Sequence, residues 1–173
     1  MKIMVSVGTH EQPFQRLLDA VSSAMTARSE DEWVVQFGVG TWPDRSPAIH
    51  AAPYLDADAM DSWLEWADVL VSQSSPGNVF GALAAGTWPL VLGRSRVAGE
   101  HVDDHQIRFA ASLETMGYAT DVRRPERLQQ VLRDEAARSR DDRATSIARA
   151  TSTTAQHQAA FRNDVWSALG AST

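Results

Sequence analysis

The stretch that decides the fold is Ala67–Gln106, ADVLVSQSSPGNVFGALAAGTWPLVLGRSRVAGEHVDDHQ. It holds two apolar runs, Val69–Val71 and Pro89–Leu92. Each is short, partly β-branched and bounded by turn formers, which predicts a buried parallel strand. Between them, Ser74-Ser75-Pro76-Gly77-Asn78 opens a helix over 77–85 whose first amides have no partner within the helix. Such a terminus favours an anion, because free N–H groups point outward and the helix dipole assists. After the second run comes Glu100-His101-Val102-Asp103-Asp104-His105-Gln106, in which six of seven residues are polar, just ahead of another helix over 104–116. In an open α/β sheet both loops fall at the carboxyl ends of strands, where ligands bind.

Outward from this stretch the same alternation continues. Ile3–Val7 predicts a strand, with Gly8-Thr9-His10 as its turn. Pro13 and Phe14 open a helix that carries Phe14, Leu17, Leu18, Val21 and Met25 on one face. Val34–Phe37 is a second strand, and Ile49–Tyr54 a short third one. Asp56 stands where it can cap a helix over Ala57–Trp66. On the far side, Tyr118–Asp121 predicts a last strand, and Pro125 starts a helix with Leu128, Val131 and Leu132 inward. Strands alternating with helices imply βαβ units and a parallel sheet. The expectation is one α/β, Rossmann-like domain over residues 1–140, with helices on both faces. A C-terminal helical tail follows over 141–173. In that tail Phe161, Val165, Trp166 and Leu169 form one helical stripe. It either packs back on the sheet or docks a second protein.

Composition narrows the function. A chain of 173 residues suits one domain with a sizeable core. A net charge of −6 argues against a nucleic-acid binder that works by neutralising phosphates. With no cysteine, disulfides, thiolate metal sites and cysteine nucleophiles are excluded. The N-terminal apolar run is too short for a signal peptide, and no run approaches the ~20 apolar residues of a membrane span. A cytoplasmic location is expected, with any membrane contact made through a partner. There is no G-x-S-x-G element and no phosphate-binding G-x-x-x-x-G-K-[ST]. The two histidines and the carboxylates of 100–106 invite a metal, but their spacing fits no zincin or EF-hand pattern. His10, alone, has the standing of a surface histidine rather than a base.

The order VGTHEQPF, ADVLVSQSSPGN, ALAAGTWPLVLG, EHVDDHQ resembles the C-terminal, donor-binding half of the family 28 glycosyltransferases. It is similar above all to stand-alone half-enzymes, such as the catalytic subunit of the dolichol-pathway UDP-GlcNAc transferase and the small subunits of bacterial exopolysaccharide glycosyltransferases. The resemblance runs over roughly residues 1 to 120, and EHVDDHQ is its sharpest part. It implies one half of a GT-B enzyme, inverting, with no cofactor. No divalent cation is expected in catalysis. The implied reaction passes a sugar, GlcNAc or a related hexose, from UDP to a lipid-linked acceptor in polysaccharide synthesis. The implied partner is a membrane-anchored, acceptor-binding subunit that also holds the general base.

By the same resemblance, Gly8 and Thr9 lie near the diphosphate, and Tyr54 and Leu55, with Met60, hold the base. Ser74, Ser75, Gly77 and Asn78 cradle phosphates, and Glu100, His101, Asp104, His105 and Gln106 face the sugar. The chain departs from the family at two places. Gln73 stands among residues where relatives carry a histidine or arginine, which removes a positive charge. Gly81 stands where relatives carry the glutamate that binds the ribose hydroxyls. Losing a charge-assisted hydrogen bond of ~1.5–3 kcal/mol weakens a nucleotide by roughly tenfold or more. The departure at Gly81 feeds an alternative, a non-catalytic nucleotide-sugar-binding or scaffold subunit. A self-sufficient hydrolase or epimerase with a similar site ranks below both.

Overall fold

The computed structural model describes residues 1–43 and 46–153. The stripe at Phe161, Val165, Trp166 and Leu169 lies outside the described residues. Six parallel strands form one sheet in the order β3-β2-β1-β4-β5-β6. They are β1 (Lys2–Ser6), β2 (Glu32–Gln36), β3 (His50–Ala52), β4 (Val69–Gln73), β5 (Trp88–Leu92) and β6 (Thr120–Asp121). The helices are α1 (Gln15–Ala27), α2 (Ala57–Trp66), α3 (Pro76–Ala84), α4 (His105–Met116) and α5 (Leu128–Ala137). The expected Rossmann-like α/β architecture is therefore the observed one.

The central strands are buried on both faces, as parallel strands covered by helices must be. Their side chains alternate between two clusters. Ile3, Val5, Val69 and Val71 join the larger one with Phe14, Leu17, Leu18 and Val21 of the α1 side and Leu128, Val131 and Leu132 of α5. Met4 and Leu70 point the other way, into a smaller cluster with Leu64 and Ala82 beneath α2 and α3. Residues 140–153 are helical, and Ile147 and Ala150 join the larger cluster. Among the described residues no helix is long and apolar enough to cross a membrane.

The bounds differ from expectation where polar residues continue a ladder. β4 runs on through Ser72 and Gln73, which remain buried because Ser72 Oγ donates to the Gln73 carbonyl and Gln73 finds a partner in Arg94. β5 starts one residue earlier, at Trp88, with Pro89 second in the strand. A proline lacks the donor that an interior strand needs. Trp88 donates to the carbonyl of Asp68, just ahead of β4, so the alternate Pro89 nitrogen faces β6. β6 begins only opposite Leu90, so the missing N–H falls where there is no ladder. α1 starts at Gln15, two residues after Pro13, because the Phe14 carbonyl takes the first helical amides, Leu17 and Leu18. α2 has the expected bounds, and Asp56 caps it by accepting from the Ala59 amide at 2.8 Å.

Candidate functional site

From β1 the chain moves outward to β2 and β3; from β4 it moves the opposite way to β5 and β6. The carboxyl ends of β1 and β4 therefore flank the point where strand order reverses, the position of the ligand crevice in such sheets. Gly8, Tyr54–Leu55, Ser74–Asn78 and 100–106 all fall at this edge.

Two polar residues that carry no sequence signature tie the edge together. The first is Gln36, at the end of β2. Its Oε1 accepts from Ser6 Oγ at 2.8 Å and from the Gly8 amide at 3.2 Å. Its Nε2 donates to the Gly8 carbonyl at 3.0 Å and the Pro53 carbonyl at 2.9 Å. Gln36 thus joins the Gly8 turn to the loop that presents Tyr54. Gly8 has φ +75°, and a Cβ there would lie 2.0 Å from Gln73 Nε2. Only glycine fits this turn. Thr9 beside it is exposed.

The second is Arg94, buried just after β5 with 1% of its surface exposed. Its guanidinium donates to the carbonyls of Val7 at 2.8 Å, Gln12 at 2.8 Å and Glu100 at 3.2 Å, and to Gln73 Oε1 at 2.8 Å. The cation stands 4.8 Å from the Phe14 ring centroid. Burial pulls its pKa down to about 10, against the opposing pull of Glu100, so it stays charged at neutral pH. The guanidinium is thus held against the Gln73 side chain at the end of β4. Sequence reasoning passed over Arg94. The glycine-arginine step at a strand end was its only trace.

The residues of 100–106 divide by partner. Glu100 is 4% exposed, and both its oxygens are occupied. Arg16 Nε and Nη2 grip them at 2.9 and 2.7 Å, and the Ser95 amide adds a bond at 2.9 Å. Gln106 is also buried; its Oε1 accepts from the Arg94 amide, and its carbonyl accepts from Ser74 Oγ at 2.6 Å. Asp104 occupies the N-cap position of α4, but its carboxylate turns to the Arg96 amide at 2.8 Å. The cap is supplied by Asp103, whose Oδ1 accepts from the His105 amide at 2.9 Å. His101 lies between His10 and His105, with ring centroids 4.8 and 4.6 Å away. Burial, then His105 and His10, hold its pKa below the ordinary histidine value.

Ser74 and Glu100 are thereby committed within the chain, whereas Thr9, Tyr54, Gly77 and His105 are open to solvent. Tyr54 is half exposed, while Leu55 and Met60 pack on the smaller cluster. Ser75 caps α3, accepting from the Asn78 amide at 3.4 Å, and Asn78 Nδ2 reaches Ser6 Oγ at 3.4 Å. The Gly77 amide, in the first turn of α3, has no acceptor among the described residues. Pro76 at the helix start needs none. A Cβ on Gly77 would meet nothing within 4 Å, and one on Gly81 only Leu64 Cδ1 at 3.8 Å. Neither glycine is demanded by the protein's own packing, so close packing does not account for Gly81.

The division of Glu100 from the exposed residues can be tested. Glu100→Gln is expected to lower the unfolding free energy by about 1–3 kcal/mol, since the Arg16 side chain is partly solvated. The ratio of UDP to UDP-sugar affinity should stay unchanged. Chemical denaturation with paired calorimetry reads both, and a selective loss of UDP-sugar would place Glu100 on the ligand after all.

The sheet order, the helix terminus at the strand reversal and the polar loop after β5 define a Rossmann-like ligand-binding domain. The model of the glycosyltransferase family 28 C-terminal domain matches residues 2–161, and the chain belongs to that family. No curated protein matches it. Among solved structures it is similar to the calicheamicin glycosyltransferase CalG4, with 18% identity over 95% of this chain and 41% of that one, TM-score 0.65. Os79 from O. sativa, solved in complex with UDP, shares 12% identity over 86% of this chain and 35% of its own, TM-score 0.62. The spinosyn rhamnosyltransferase SpnG, complexed with thymidine diphosphate, shares 15% identity over 89% and 41%, TM-score 0.61. These likenesses carry the fold. The chain spans 35–41% of the length of these three proteins.

Proposed function

We propose that this chain binds the nucleoside diphosphate of a sugar donor in the crevice between β1 and β4, as the donor half of an inverting glycosyltransferase. The observation that carries the reading is the Gly77 amide in the first turn of α3, which has no acceptor among the described residues, on a helix start that Asn78 ties through Ser6 to the Gly8 turn. An N–H group with a helix dipole behind it stabilises a departing diphosphate without reorganisation. In this reading Gly8 and Thr9 border the diphosphate, and Ser75, Gly77 and Asn78 contact it. Tyr54 and Leu55 border the base, and Asp104, His105 and Gln106 meet the hexose. Ser74, Glu100, Gln36 and Arg94 hold the frame. His101 takes its place in the same wall.

The donor we assign is a UDP-hexose, GlcNAc or a close relative, and the acceptor a lipid-linked sugar of polysaccharide synthesis. UDP is supported by Os79, which was solved with it, although SpnG was solved with thymidine diphosphate. The acceptor site and general base are assigned to a second α/β half, a membrane-anchored subunit. The exposed Val97, Val102 and Ile107 at the rim offer it an apolar contact. Perturbations of amide shifts on UDP titration are expected at 8–9, 54–55 and 74–78 together. Shifts confined to 141–169 would sink the reading.

Gly81 favours the second reading, a scaffold subunit without a ribose clamp. The room above Gly81 makes the choice measurable, since a Cβ there meets only Leu64 Cδ1 at 3.8 Å. Gly81→Glu is expected to tighten UDP about tenfold, because a carboxylate accepting from ribose hydroxyls contributes about 1–3 kcal/mol before the cost of ordering it. Calorimetry at matched salt reads the change. Unchanged or weaker binding in a folded variant would put the scaffold reading first.

A further inference from the structure

The loop ahead of α4 brings three ligating side chains into one spot. One atom each from His101, Asp103 and His105 lies within 4.8 Å of the other two. Asp103 Oδ1 is the centre of the group. It meets His105 Nδ1 in a short hydrogen bond and stands 3.7 Å from His101 Nδ1. That His101 nitrogen is buried and has no hydrogen-bond partner among the described residues. A buried polar atom without a partner is costly, and native structures rarely leave one unexplained. Here the atom faces a carboxylate and a second imidazole.

We propose that His101, Asp103 and His105 form a site for a late first-row divalent cation, Zn2+ in the first instance. Two imidazoles and one carboxylate are a borderline donor set, which suits zinc better than the oxygen-seeking magnesium or calcium. Ligands about 2.0–2.2 Å from a tetrahedral ion stand about 3.4 Å apart. The 3.7 Å separation of His101 Nδ1 and Asp103 Oδ1 already meets that spacing, and the His105 ring opens its short contact slightly to admit the ion. The spacing His-x-Asp-x-His runs from a loop into the first residue of α4, so it matches no helical two-histidine motif. Loop backbone, with the Asp103 cap on the His105 amide, replaces the helix in setting the geometry. His10 is not one of the three; its Nδ1 already accepts from the Gln12 amide at 3.1 Å.

Three protein ligands leave a fourth position for water or a ligand oxygen. The ion would cross-link the loop between β5 and α4. The inference does not rest on the donor reading, since the ion is measured without nucleotide. The test is titration of the metal-free chain with Zn2+ by calorimetry, and with Co2+ by visible absorption, where a four-coordinate site gives strong bands and hydrated cobalt weak ones. One equivalent per chain is expected. His101→Ala and His105→Ala should each weaken it beyond the roughly 10–100-fold typical of outer-shell partners. Asp103→Asn, which keeps the cap oxygen, should also weaken it at least about tenfold. His50→Ala, on the distant edge strand, should bind as the parent does. Circular dichroism verifies that each variant is folded. Equal binding by the parent and the His101→Ala, His105→Ala double variant, or cobalt bands no stronger than those of the hydrated ion, would overturn the proposal.

Discussion

Arg94→Met is expected to cost about 3–5 kcal/mol of unfolding free energy. The variant leaves the carbonyls of Val7, Gln12 and Glu100 and the Gln73 side-chain oxygen without their donor. Each buried acceptor left unsatisfied costs ~1–3 kcal/mol, and some of the four will regain water. Against a total of ~5–15 kcal/mol for a domain, the loss is large. Arg94→Lys should recover only part of it, because an ammonium has three donors and no planar fork. Urea denaturation gives the magnitude. Amide hydrogen exchange should show the loss first at 7–14 and 93–104, the segments that the guanidinium joins. A cost below about 1 kcal/mol would mean that the loops hold their positions without it.

Gly93→Ala should be nearly as damaging, for a steric reason. A Cβ at Gly93 would lie 2.6 Å from both the nitrogen and the Cα of Ile107. These are backbone atoms of the first turn of α4, so no rotamer change relieves the contact. Overpacking of this kind costs about 1–3 kcal/mol. Displacing α4 also strains the Ser74–Gln106 and Gln106–Arg94 hydrogen bonds, so the upper end is expected. For a chain of this size that is a fall in melting temperature of about 6–12 °C. Gly81→Ala is the matched control. Its Cβ meets only Leu64 Cδ1 at 3.8 Å, and alanine favours a helix by about 0.5–1 kcal/mol, so this variant should melt slightly higher than the parent. Two glycine-to-alanine changes of opposite sign would show that contact with α4, rather than helix propensity, rules at Gly93.

The sequence made the fold legible because its signals are local. The apolar runs at Val69 and Leu90, the small residues after them and the Asp56 cap each act within a few residues. They placed β4, β5 and α2 without knowledge of the rest. The candidate site is legible as a set of strand ends but not in its partnerships. Sequence order puts Gly8, Tyr54, Ser75 and His105 at strand ends, and the structure gathers those ends at one edge. What binds to what is set by bonds that span long separations. Gln36 meets Gly8 across 28 residues, and Arg94 meets Val7 across 87. Such pairs leave no periodic trace. For the same reason the sequence shows nothing of the Arg16 side chain that holds Glu100 from 84 residues away.

The partners of Arg94 carry one more consequence, for how this crevice could be redesigned. Three of its four acceptors are main-chain oxygens, from Val7, Gln12 and Glu100. A carbonyl is present whatever side chain its residue bears. The frame can therefore stay fixed while the side chains beside it, Thr9 and His10 among them, are exchanged. Libraries that vary those loop residues around an unchanged Arg94 should give mostly folded proteins that differ in which ligand they prefer. The scaffold separates the part that must be kept from the part that can be rewritten.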